Sequence, residues 1–88
     1  TDSVFKNWKI YPNPVIESAT LNIPYPDNEH LTIRLFSASG KLINEYGHVH
    51  PPVFYFSRGK LRKGSYYLQV LRGKELLNTV KFIVSIDG

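Results

Sequence analysis

Apolar residues fall at every second position along most of this chain, the period of a strand with one buried face. The pattern is sharpest at Tyr66, Leu68 and Val70, just after Gly64. It recurs at Ala19, Leu21 and Ile23 against Thr20 and Asn22, and at Leu31, Ile33 and Leu35 against Thr32, Arg34 and Phe36. Leu42 to Tyr46 reads as a return strand ended by Gly47, reached through the hairpin connection Ser37-Ala38-Ser39-Gly40-Lys41. His48-Val49-His50-Pro51-Pro52 reads as irregular, and Val53 to Ser57 as a short aromatic strand. After a second hairpin turn at Arg72-Gly73-Lys74-Glu75, a final strand is predicted from about Leu76 to Ile86, with Val80, Phe82 and Val84 on one face. No window sustains the i, i+3, i+4, i+7 spacing of an amphipathic helix.

The start of the chain reads differently. Trp8 and Ile10 lead into Tyr11-Pro12-Asn13-Pro14, where two prolines remove two backbone donors. That suits an edge strand entering a turn and not a strand interior. Pro24 to Glu29 is a loop by composition. About seven short strands separated by turn signals predict an all-β fold, a small antiparallel Greek-key β-sandwich of immunoglobulin-like kind. Leu21, Ile23, Leu31, Ile33, Leu35, Tyr66, Leu68, Val70, Phe82 and Val84 are expected inside it, since they share parity on their strands.

The segment Leu61-Arg62-Lys63-Gly64-Ser65-Tyr66 carries the strongest local signal. Gly64 permits a backbone with positive φ, and a tyrosine two residues later heads the central strand. This is the spacing of a tyrosine corner, in which the phenol bonds back to the upstream backbone across the arch between sheets. The plainer alternative is a core aromatic whose hydroxyl reaches water.

Composition narrows the function classes. The 88 residues, 42% hydrophobic and 20% charged, make one small globular domain. A leader or linker end is expected at residues 1–8 and a single domain at 9–88. No apolar run approaches the roughly 20 residues of a membrane-spanning helix. Cysteine is absent, which excludes a disulfide framework and a thiolate metal site. Methionine is absent too, so the chain is expected to be a piece of something longer. A net charge of +4 does not by itself argue for nucleic acid.

The chemistry-bearing residues are few. His48 and His50 share one side of an extended chain but lack a third ligand nearby. Asp27-Asn28-Glu29 does not alternate its oxygen ligands as a calcium loop does and reads as a solvated turn. No nucleophile sits in a triad context. Arg58, Lys60, Arg62 and Lys63, with Arg72 and Lys74, form a basic group suited to an acidic partner or to a solvated sandwich edge. Tyr25, Tyr46, Tyr55 and Tyr67 open a second possibility, an aromatic platform for sugar. No cofactor, metal or catalytic residue is expected.

Four motifs then stand in one order: Lys9-Ile10-Tyr11-Pro12-Asn13-Pro14, Ser39-Gly40-Lys41, Leu61-x-x-Gly64-x-Tyr66-x-Leu68-x-Val70, and Val80-Lys81-Phe82-Ile83-Val84. In that order and spacing, from about Ile10 to Ser85, the chain resembles the type A C-terminal sorting domain of the Bacteroidetes type IX secretion system. The resemblance implies a non-catalytic export address. It would sit behind an N-terminal cargo, be recognised by the outer-membrane translocon from the periplasm, and be removed by a sortase-like peptidase as the cargo is attached to the surface. It also implies that recognition rests on Gly64 and Tyr66 and on Val80, Lys81, Phe82, Ile83, Val84 and Ser85. Pro12, Asn13, Pro14, Gly40 and Leu61 would be structural. The chain departs from the family in lacking a basic residue close behind the last strand, where it reads Ser85-Ile86-Asp87-Gly88. A carbohydrate-binding or adhesive β-sandwich is the alternative.

Overall fold

The computed structural model describes residues 8–26 and 28–85. Seven strands follow one another: β1 (Lys9–Tyr11), β2 (Ser18–Asn22), β3 (Leu31–Ser37), β4 (Leu42–Val49), β5 (Val53–Ser57), β6 (Gly64–Arg72) and β7 (Glu75–Val84). They build two antiparallel sheets, ordered β1-β2-β5 and β4-β3-β6-β7. The chain crosses from one sheet to the other after β2, β4 and β5, which makes the immunoglobulin-like Greek key. No described residue is helical.

The period-2 pattern does the folding work here. Each residue predicted to face inward is buried, from Leu21 on β2 to Val84 on β7, with Ile33, Leu68, Val70 and Phe82 fully enclosed. Ile10, Val15, Ala19, Val49 and Phe56 complete the shared core, and Val80 packs half-buried at its margin. The Phe82 ring links the two layers, 5.3 Å from Phe56 of the facing sheet and 5.7 Å from Tyr66 beside it. β1 is an edge strand of three residues that stops before Pro12, as the prolines require.

Three boundaries differ from the sequence reading. β4 does not stop at Gly47 but runs to Val49, which pairs with Leu31 and is buried. A shift of register between Leu31 and Ile33 absorbs the extra residue, with His48 at φ 55°. Pairing to the long neighbour β3 outweighs the local break that a glycine suggests. β7 begins at Glu75, one residue sooner than expected, because Arg72 and Glu75 close the hairpin as a pair. At its other end β7 stops at Val84, and Ile86 lies outside the described residues. The first seven residues of the expected leader, residues 1–7, also lie outside them. Trp8, the eighth, packs on the core margin with its ring 5.9 Å from Tyr25.

Phe82→Ala is expected to destabilise the domain by about 3–5 kcal/mol, because a fully enclosed aromatic leaves a cavity. For a domain this small that is much of its total stability. Urea denaturation measures it; a loss below about 1 kcal/mol would mean that Phe82 does not bridge the sheets.

Candidate functional site

The β6–β7 hairpin and the segment that locks it contain the residues that the resemblance singles out, apart from Leu61 in the arch before β6 and Gly40 on the far hairpin. The arch from β5 to β6 comes first. Gly64 has φ +148°, a region that side chains with a Cβ rarely enter, although the space beside it is open. The turn lets Tyr66 double back, and its hydroxyl donates to the Arg62 carbonyl at 2.7 Å. Tyr66 therefore makes the tyrosine corner, and its hydroxyl is not left to water. Leu61 is half-buried against the core and its N–H donates to the Arg58 carbonyl at 3.0 Å.

The N-terminal motif reaches the last strand. The Asn13 side-chain carbonyl accepts the Ile83 N–H at 3.0 Å. Val15 then donates to the Ile83 carbonyl at 2.7 Å and accepts from the Ser85 N–H at 2.8 Å, a parallel bridge beside Val84. Val15 itself is fully enclosed. The strap Asn13–Val15 thus covers the outer edge of β7 at the end where Ile83, Val84 and Ser85 lie. Pro12 and Pro14 flank Asn13 and supply no donor that would compete for those carbonyls.

β7 is divided by parity. Phe82 and Val84 point into the core, while Lys81 and Ile83 point out, Ile83 with 43% of its surface exposed. Of the residues expected to carry recognition, Tyr66, Phe82 and Val84 are buried, Val80 and Ser85 half-buried, and Gly64, Lys81 and Ile83 exposed.

The basic group does not form one patch. Arg58 is a fastener: Nε donates to the Leu61 carbonyl at 2.9 Å and Nη1 to the Ile16 carbonyl at 3.1 Å. Arg72 pairs with Glu75 at 2.9 Å and Glu29 at 3.6 Å, and its guanidinium lies 5.7 Å from the centre of the Tyr25 ring. The Glu75 hydrogen bond and charge hold Arg72 above the usual arginine pKa, so it stays a cation throughout. Lys60, Arg62 and Lys63 stand at one end of β6 and Lys74 at the other, about 30 Å away along nine extended residues.

The remaining candidates also separate. His50 Nδ1 lies 3.0 Å from the Glu29 carbonyl, and the ring against it, at 4.5 Å, belongs to His30. Loop packing creates that contact, and no spacing in the chain signals it. Among the described residues no group of three or more His, Cys, Asp or Glu side chains is placed to hold a metal ion. Asn28 and Glu29 are in the expected turn; Asp27 lies outside the described residues. Tyr46 and Tyr55 line a groove of about 500 Å³ between β4 and β5. Tyr25 sits against Trp8, and Tyr67 projects from the outer face of the four-stranded sheet, so the four tyrosines make no single platform.

A family model described as the secretion system C-terminal sorting domain matches residues 9–85, which span all seven strands and the strap. No curated protein and no solved structure matches the chain.

Gly64→Val is expected to cost about 1–3 kcal/mol through backbone strain alone, and Tyr66→Phe about 0.5–1.5 kcal/mol through the lost hydrogen bond. Thermal melts of both variants check the corner. Wild-type stability in Tyr66→Phe would show that the hydroxyl bond holds nothing.

Proposed function

We propose a function from one premise: this chain belongs to the secretion system C-terminal sorting domain family. Membership makes it a sorting signal for type IX secretion, a role carried out with the secretion machinery and directed to the cell surface or the exterior. Domains of the family are generally not catalysts. No helix among the described residues is long and apolar enough to cross a membrane.

In our reading, residues 9–88 act as one module behind an N-terminal cargo, with residues 1–8 as the junction. The cargo passes through the periplasm, the translocon reads the domain, and a sortase-like peptidase removes it as the cargo is attached to the surface. The observation that carries this reading is the division of β7. Phe82 and Val84 spend one face of the strand on the core, which leaves Lys81 and Ile83 on the other for a partner. A signal of this kind must stay folded while it is recognised, and a strand with two faces meets both demands at once. Gly64 lies exposed opposite Val84, at the end of the hairpin where Ile83 also stands.

The experiment fuses residues 1–88 to a periplasmic reporter in a host with an intact type IX system. The fusion is expected at the cell surface, and one truncated after Thr79 in the periplasm. Lys81→Glu should keep the melting temperature close to wild type, being an exposed charge, but lower export. Periplasmic retention of the intact, folded fusion would refute the reading, as would equal export of the truncated one.

A further inference from the structure

The outer face of the four-stranded sheet carries an ordered row of which the sorting reading uses only Lys81 and Ile83, on β7. Leu42 on β4 pairs with Phe36 on β3, Phe36 with Tyr67 on β6, and Tyr67 with Lys81 on β7. All four strands contribute one residue at the same level. Neighbouring strands lie about 4.8 Å apart, so the row is roughly 14 Å long. Ile83 lies one step along β7 on the same face, opposite Ser65. Leu42 and Ile83 are 48% and 43% exposed. Beside the row Phe36, Tyr67, Gln69 and Thr79 wall a shallow recess of about 240 Å³.

The outward face of an antiparallel sheet is ordinarily polar. A connected apolar row there marks an interaction surface more often than a packing accident. The sheet also discourages any partner from adding a strand. On β4 the Glu45 N–H is taken by the Asn44 side chain at 2.9 Å. On β7 the Thr79 N–H is taken by Asn78 at 2.8 Å and the Ile83 N–H by Asn13 at 3.0 Å. The three N–H groups so taken are not available to an added strand, and the row lies on the face between the two edge strands. The row ends on a cation: Lys81 has no ion-pair partner among the described residues.

We propose that the row Leu42–Phe36–Tyr67–Lys81, with Ile83, is a docking face for a protein of the secretion machinery that presents an apolar ridge ending in a carboxylate. The inference rests on the sorting reading and extends it to three strands beyond β7. The occupant is a protein because the row joins an apolar run to a single cation, which an apolar side-chain ridge with one carboxylate complements. Tyr67 supplies the central anchor, Phe36 and Leu42 extend the contact, and Lys81 sets its orientation.

The test uses the reporter fusion carrying residues 1–88. Tyr67→Thr and Leu42→Thr keep strand propensity while removing the row. Tyr55→Thr is the control, changing an outward tyrosine that is 74% exposed on the opposite sheet. Each purified variant must melt as wild type does. Tyr67→Thr is expected to lower surface display about tenfold, the loss of an interface anchor. Leu42→Thr should lower it less, Tyr55→Thr not at all, and Lys81→Arg should hold display where Lys81→Glu does not. Wild-type display in folded Tyr67→Thr and Leu42→Thr overturns the docking face while the sorting reading stands, since the parent fusion is still exported. Failure of the parent fusion overturns both. Two further results overturn the assigned occupant: a dimer in sedimentation that Tyr67→Thr abolishes, or lipopolysaccharide binding that depends on Tyr67.

Discussion

The hydrogen bonds between the strap Asn13–Val15 and β7 are the constraint on which this domain's design turns. An edge strand presents unpaired N–H and C=O groups that invite another chain. Here Val15 and Asn13 take the groups of Ile83 and Ser85 at that edge. The same contacts bind the entry of the chain to its last strand, with Val15 fully enclosed between them. Ile83 and Lys81 are therefore held in a fixed frame and not on a fraying end.

In our reading, recognition and stability share β7 without competing. Inward residues hold the sheets together through the aromatic cluster of Phe56, Tyr66 and Phe82. Outward residues continue a row that crosses the whole sheet. The tyrosine corner sets the first residues of β6, and β6 positions β7 by nine register pairs from Gly64–Val84 to Arg72–Glu75. Each step is local chemistry, yet together they place Lys81 beside Tyr67.

Much of this was legible in the chain. Period-2 runs identified the strands and their inward residues because burial on one face leaves that mark directly. Gly64 and Tyr66 were legible because a turn and a corner need those residue types at that spacing. What escaped depends on distant contacts. Val15, alone between Pro14 and Ile16, shows no periodicity, and its burial comes from β7, about seventy positions later in the chain. Arg58 read as surface charge because sequence cannot show that the Leu61 and Ile16 carbonyls converge on it. The outward row was missed for the same reason: Leu42, Phe36, Tyr67 and Lys81 come together only through register.

Amide hydrogen exchange along β7 tests the central claim, that the strap closes the signal strand's edge so that its face is what a partner meets. Ile83 and Ser85 point away from β6, so on an open edge their amides would exchange freely. With the strap in place they should be protected nearly as well as Phe82, whose outward neighbour Lys81 should exchange much faster. Exchange at Ile83 and Ser85 as fast as at Lys81 would show the edge to be open and would contradict the account.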